Sequence, residues 1–463
     1  MTEQLKLKLN DSKATRWGAL VIVAFTMMAA YYVNDVVAPL KTMLETDLAW
    51  SSTDFGFFTG GYSFLNVFFL MLIWGGLILD RFGIRFTGKL ATILMVGGTA
   101  LEYYAMTRLA GTDATLFGIN EIFGYKTGVF VAFAGYSIFG VGAEVAGITV
   151  SKIIAKWFKG KELATAMGVQ VALARIGSQA GYAVAIPLAR AFGISTPVLL
   201  GLVLLLGGMI AFFIFAVMDK KLDKQMEAAA IAAGTEDEEE KFSFKDVKNI
   251  LVNPGFWLIA LLCVLFYSCV FPFQKFASEL MIIKYGINEN VAGTFAGLPA
   301  LGALILTPVF GGFIDKRGKS ASIMLLGSAM LICVHFIYAI PDINYWLVAI
   351  VLMIILGIAF SLVPSAMWPA VAKIFPVSQL GTAYALIFFI QNIGLWGIPT
   401  LIGWVLDAYC ISGKKPDGTN MYDYTVPMCI FTSIACLSLI VALLLKKADK
   451  KYGYKLEEPN IQK

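Results

Sequence analysis

In Gly76-Leu-Ile-Leu-Asp80-Arg81-Phe-Gly83 and Gly311-Gly-Phe-Ile-Asp315-Lys316-Arg-Gly318, about half the 463-residue chain apart, Gly76, Asp80, Arg81 and Gly83 correspond to Gly311, Asp315, Lys316 and Gly318. Each stretch closes an apolar run and opens a basic turn. Glycine at Gly76, Gly83, Gly311 and Gly318 permits close backbone approach and a sharp reversal. Asp80 and Asp315 can cap a following helix or pair with a neighbouring cation, and Arg81 and Lys316 supply basic charge beside them. One such turn is a weak signal. Two at equivalent places make the chain a duplication, with the turns as conformational elements of each half.

The rest of the chain fits a membrane. Hydrophobic residues make up 59% of it and charged residues 14%, more apolar surface than a soluble protein of this length can cover. Apolar runs long enough to cross a bilayer recur near 17–40, 54–79, 88–109, 126–154, 162–190, 197–218, 256–284, 290–313, 320–340, 343–373, 379–406 and 425–446. Long runs without dyad alternation favour helices over a barrel. The expected fold is therefore an all-α membrane protein of twelve transmembrane helices in two pseudo-symmetric six-helix bundles. The expected parts are a tail at 1–16, a first bundle at 17–218, a linker at 219–255, a second bundle at 256–446 and a tail at 447–463.

The first residues are polar and charged, and the following apolar stretch is too long for a cleavable signal. Lys and Arg crowd the N-terminus, the turns at 80–89, 155–161 and 316–319, the loop at 219–249 and the C-terminal tail. By the positive-inside rule both termini are cytoplasmic. The net charge of +5 reflects this bias and does not argue for nucleic acid. In the linker, residues 236–240 are an acidic, solvated run, and Phe242, Phe244, Val247, Ile250 and Leu251 among lysines fit either an interfacial helix or a lead-in to the seventh span. The six cysteines show no metal spacing; Cys410 and Cys429 flank one loop without a framework that requires a disulfide. His335, the only histidine, reads as a packed polar residue. No cofactor or metal is expected.

Two charges stand alone inside apolar stretches: Glu144 within 130–150 and Arg175 within 164–188. The basic turn Lys156-Trp157-Phe158-Lys159-Gly160-Lys161 lies midway between them. An antiparallel helical hairpin therefore sets both charges at one depth, roughly 20 Å from the turn and near the bilayer midplane. A charge there is costly unless it is paired or faces a wet cavity. The two readings are a substrate site for a molecule charged at both ends and a structural salt bridge between neighbouring helices. Further polar groups interrupt the spans: Tyr31, Tyr32, Asn34 and Asp35 in the first, Lys275 and Glu279 in the seventh, Gln391 and Asn392 in the eleventh. Lys275 and Glu279 are one turn apart and can pair with each other. The amides serve either interhelical packing or recognition of a substrate backbone. Phe273 and Trp368 can wall a cavity or simply pack, and Pro272, Pro364 and Pro369 can kink helices that line it.

The duplicated turns between two six-helix halves resemble those of the major facilitator superfamily. A narrower likeness rests on four segments: Gly142-Ala-Glu144 with Trp157-Phe-Lys-Gly-Lys-Glu-Leu163 and Ala174-Arg175-Ile-Gly-Ser178; Val270-Phe-Pro-Phe273; Pro308-Val-Phe-Gly311 with Asp315-Lys316 and Gly318-Lys319; and Trp368-Pro369, Gln379-Leu-Gly-Thr-Ala-Tyr384 and Gln391-Asn392. These are similar to the lysosomal dipeptide transporter branch of that superfamily, which moves dipeptides as a uniporter. Glu144 and Arg175 fall on that branch's membrane-embedded acid and base, with the same spacing. The resemblance implies a small zwitterionic substrate and leaves room for an accessory membrane subunit. The tail at 1–16 lacks an acidic dileucine signal, and Asn10, in that tail, is the only Asn-x-Ser/Thr site. Both features favour a plasma (inner) membrane.

The expected function is thus a dipeptide carrier, facilitated or proton-linked, with Glu144, Arg175, Tyr32, Asn34, Phe273, Lys275, Trp368, Gln391 and Asn392 as candidate substrate-binding residues. The rivals are an organic-anion/proton carrier and a membrane sensor or partner protein without turnover. No nucleophile–histidine pair or phosphate loop supports an enzyme.

Overall fold

The computed structural model describes residues 8–111, 115–158, 161–233 and 244–459. Lys159 and Gly160 of the basic turn, the acidic run at 236–240 and Phe242 lie outside the described residues. The first half contains α1 (Lys13–Val36), α2 (Lys41–Leu48), α3 (Ser52–Phe68), α4 (Met71–Arg108), a two-stranded hairpin β1 (Glu121–Ile122) and β2 (Tyr125–Lys126), α5 (Thr127–Phe158), α6 (Leu163–Phe192) and α7 (Thr196–Ala233). After α8 (Phe244–Val252) come α9 (Pro254–Tyr285), α10 (Glu289–Ala296), α11 (Leu298–Arg317), α12 (Ser320–Ala339), α13 (Trp346–Ile374), α14 (Val377–Tyr409), the hairpin β3 (Ile411–Lys414) and β4 (Asn420–Tyr422), and α15 (Thr425–Tyr452).

Among the described residues, nine helical segments are long and apolar enough to cross a membrane singly, α10 and α11 counting as one, and the bent pair α3 and α4 adds a tenth. Two further passes emerge from the local chemistry. At Gly83 the backbone takes φ 75° and ψ 174°, which breaks α4. Upstream of it, Tyr62 and Gly75 meet Gly140 and Val145, so this strip runs parallel to α5; downstream, Gly88 to Leu109 descend past α5 in the opposite sense, with Gly98 on Gly135 and Leu109 on Gly128. The chain therefore reverses at Gly83, and α4 holds the end of the second pass and the whole third. α6 is the remaining pass; Gln170, Arg175, Gln179 and Arg190 dilute its apolarity. The fold is all-α, with about twelve membrane-spanning helices, and the hairpins are its only described strand pairs.

Three details differ from the sequence reading. The second pass is interrupted at Phe69 and Leu70, where Leu70 adopts φ 54°, and α3 and α4 are bent by 58° there. The eighth pass is split at Gly297 between α10 and α11. The sixth helix continues well past 218, to Ala233. Before the seventh pass, residues 244–252 form a separate helix; Ile250 is buried and Asn253 caps α9 through its side chain.

The first and last described residues lie on one face, here the terminal face, with the Gly83 turn, α8 and the described chain after α15. The opposite, distal face carries α2 and both hairpins. Within each half the helices cross at small residues, as expected where lipid gives no hydrophobic drive for association. A Cβ on Gly98 would lie 2.4 Å from Phe139 N, and one on Gly177 would lie 2.1 Å from Met28 O. The halves meet along α3 against α14 and along α6 against α10 and α11.

Candidate functional site

Glu144 sits on α5 where that helix crosses α3. A Cβ on Gly140 would lie 2.1 Å from Tyr62 O, and this close crossing brings the Tyr62 hydroxyl to Glu144, which accepts its hydrogen bond at 3.0 Å. Arg175 sits on α6 beside the Gly177 crossing with α1. Its guanidinium lies 5.6 Å from the Tyr31 ring centroid and 4.9 Å from that of Phe360, both within cation–π range. Phe360 belongs to α13, so Arg175 reaches from the first half to the second.

Among the described residues, Glu144 and Arg175 form no ion pair with each other. Each is half-buried and satisfied by aromatic groups instead. Tyr31 stands within the electrostatic reach of both charges. The interhelical salt bridge that the sequence left open is therefore not present. The arrangement is a cation and an anion held apart near the junction of the halves, each with capacity left: the carboxylate for further donors, the guanidinium for a bidentate acceptor.

The second half contributes an aromatic wall. Phe360 packs edge-on against Phe271 at 5.3 Å, and Tyr267 stacks on Phe271 at 5.4 Å. Trp368, half-buried, stacks on Phe388 at 4.8 Å, and its carbonyl accepts from the Tyr384 hydroxyl at 3.0 Å. Gln391 accepts from the Cys263 thiol at 3.4 Å. Asn392 donates to Phe388 O at 2.9 Å, and its Oδ1 is buried without a partner.

Other candidate residues are placed elsewhere. The Tyr32 hydroxyl donates to Pro197 O at 3.2 Å inside the first half. Phe273 is fully buried against His335, Tyr338 and Phe431 inside the second. Asn34 O accepts from Lys275 Nζ at 2.6 Å and from the Tyr136 hydroxyl at 2.7 Å. Lys275 and Glu279 do not pair with each other: Lys275 binds Asp35 at 3.0 Å and Glu279 binds Lys41 at 2.6 Å. Both partners are in the first half, so tertiary packing overrides the one-turn spacing. Among the turn residues, Asp80 pairs with Lys152 at 3.1 Å, Arg81 lies 5.5 Å from the Phe82 ring, Gly83 and Gly318 take positive φ, Asp315 lies within electrostatic reach of Lys373, and Lys316 lies in the last turn of α11; Gly76 and Gly311 face open space. Cys410 and Cys429 are free thiols, and His335 Nε2 lies 3.0 Å from Cys269 O. Among the described residues, no group of three or more His, Cys, Asp or Glu could hold a metal ion.

Sequence reasoning misses Tyr62, Phe360, Lys41 and Glu102. Glu102 carries the same sign as Glu144, a lone acid in an apolar run. Tyr62 and Phe360 carry none, because aromatic residues abound in these helices.

The model of the Major Facilitator Superfamily matches residues 20–399. The lysosomal dipeptide transporter MFSD1 of Homo sapiens is 28% identical over 454 residues, 94% of this chain and 87% of that protein. MFSD1 of Gallus gallus is 33% identical over 287 residues, 59% of this chain and 62% of that protein. Among solved structures, a variant of the nucleoside transporter NupG superposes with a TM-score of 0.68 at 12% identity, covering 92% of this chain and 98% of its own. A variant of the peptide transporter POT in complex with sulfate superposes with a TM-score of 0.67 at 14% identity, covering 95% of each chain.

Proposed function

The chain belongs to the major facilitator superfamily, and from that premise we propose that this integral, multi-pass secondary transporter carries dipeptides or related small zwitterions by alternating access. The observation that carries the reading is the unpaired state of Glu144 and Arg175, half-buried on neighbouring helices with Tyr31 near both. Arg175 binds the substrate carboxylate through its planar fork. Glu144, steadied by Tyr62, receives the amino group. Phe360 and Trp368 bound the space for substrate side chains. The halves at 17–218 and 256–446 rock about this site. The relatives named as dipeptide transporters support the substrate class. The basic turns support cytoplasmic termini.

Counterflow of labelled dipeptide in proteoliposomes tests this. The wild type exchanges dipeptide, and Arg175→Ala loses about 30-fold or more, the effect of stranding one partner of a desolvated charge pair at about 2–5 kcal/mol. Glu144→Gln follows in the same direction. Exchange of a dicarboxylate but not of dipeptide would instead favour the organic-anion reading.

A further inference from the structure

Glu102 lies on the third pass, fully buried, and neither of its carboxylate oxygens has a hydrogen-bond partner. An ionised carboxylate in that setting is far more costly than a neutral acid. Its position follows from a close helix crossing: a Cβ on Gly135 would lie 2.8 Å from Glu102 N. The next residue on that helix, Tyr136, feels the charge of both Glu102 and Asp35. Its hydroxyl donates to Asn34 O at 2.7 Å. The same carbonyl accepts from Lys275 Nζ at 2.6 Å, and Lys275 bonds Asp35 at 3.0 Å. Lys275 of α9 thus acts on Glu102, and Tyr136 of α5 and Asp35 of α1 are joined to Lys275 through Asn34 O and the ion pair. Residues 196–218 of α7 carry no ionisable side chain. Lys275 is the charged side chain that acts on Glu102, and it alone of this cluster belongs to the second half.

We propose that Glu102 is a proton-binding site of the transport cycle, and that on losing its proton it competes with Asp35 for the Lys275 ammonium. With the proton on Glu102, the cluster holds one carboxylate and one ammonium and is neutral. Transfer of that proton from a Glu102 oxygen to water leaves two carboxylates facing one ammonium, a net negative charge that the sealed interior opposes. The proton is retained while the halves enclose the cluster and exchanges when their separation admits water to it. Carriage through this site is then proton-linked, where the family resemblance implies uniport. The inference rests on the carrier reading but not on the dipeptide assignment.

Two measurements on the full chain in lipid decide it. Infrared spectra at neutral pH are expected to show a protonated-carboxyl stretch that Glu102→Gln removes and Glu102→Asp shifts. Absence of any such band from the wild type, or its persistence unchanged in Glu102→Gln, overturns the proposal whatever the substrate. In proteoliposomes, an inwardly acidifying proton gradient of one pH unit drives about tenfold accumulation at one proton per substrate. In Glu102→Gln the ratio of driven accumulation to counterflow falls about tenfold. Counterflow without driven accumulation in the wild type also overturns it. If dipeptide is not exchanged at all, the substrate reading fails and the infrared result still judges Glu102.

Discussion

The two ends of the junction between the halves are built differently. At the distal end, charges cross it and are sealed. Lys41 bonds Glu45 at 2.5 Å within the first half and Glu279 at 2.6 Å in the second, and Lys41 and Glu279 are each 1% exposed. Tyr424 also donates to Glu279, and Lys415 approaches Glu45 at 3.6 Å and Glu279 at 3.8 Å. Asp407 of α14 accepts from Thr53 N at 2.6 Å, and Gly56 and Gly403 bring α3 and α14 into backbone contact. At the terminal end, ion pairs tie the first half to itself and hydrogen bonds tie the second. Arg16 holds Glu162 at 2.8 Å, Lys161 holds Asp11 at 2.9 Å, and Lys156 holds the buried Asp219 at 2.7 Å. In the second half, Glu457 accepts from Ser322 N and Oγ, both at 2.8 Å. The packing of α3 on α14 reaches Phe68 against Trp396, next to the Leu70 break. Glu144 and Arg175 lie between these regimes and keep partial exposure although the distal end is sealed. A rocking carrier needs one end locked across the halves while the other is tied only within them.

The largest effect is expected from Lys41→Met. Removing the ammonium that lies closest to both buried carboxylates destabilises the distal-closed state by about 3–5 kcal/mol, the usual cost of stranding a buried charge. Thiol labelling of a single cysteine at Ser52, buried in the closed state, should rise steeply; unchanged labelling would mean that the charges do not lock that end. Next comes Gly56→Val. Even a Cβ there would lie 2.4 Å from Pro399 O, and overpacking costs about 1–3 kcal/mol. Spin-label distances across the distal face should lengthen, with a matching loss of transport.

The smallest effect belongs to the terminal clasps. The hydrogen bond from Lys161 holds the Asp11 carboxyl below its usual range, and that from Arg16 does the same for Glu162. A carboxylate whose folded value is depressed contributes above its unfolded value, about 4, and loses that contribution as pH falls through the folded one. Labelling near Asp11 should therefore stay constant from neutral pH down to about 5 and rise only in stronger acid. A rise already at pH 6 would assign the clasp to another group.

Much of the architecture was legible because it is written in composition and repetition: apolar runs of spanning length, and one turn used twice. The breaks at Leu70 and Gly297 were not. Leucine at positive φ has no local sequence sign, and Gly297 is one of 44 glycines. Charge position was readable and charge partnership was not. Lys275 and Glu279 have ideal spacing for each other, yet the α9 face that carries them meets Asp35 and Lys41 in the other half. Likewise the level placement of Glu144 and Arg175 suggested a possible mutual pair, but Glu144 takes Tyr62 and Arg175 takes Tyr31 and Phe360 instead. Partners across a helical junction depend on rotation about each helix axis, which a near-uniformly apolar helix leaves unmarked.

The central claim is that Arg175 and Glu144 hold opposite ends of one zwitterion, and equilibrium binding of modified dipeptides to the purified protein tests it most directly. Amidating the carboxyl end should weaken binding to the wild type and to Glu144→Gln but cost nothing further in Arg175→Ala; acetylating the amino end should weaken binding to the wild type and to Arg175→Ala but cost nothing further in Glu144→Gln. Equal sensitivity of all three proteins to both modifications would contradict the account.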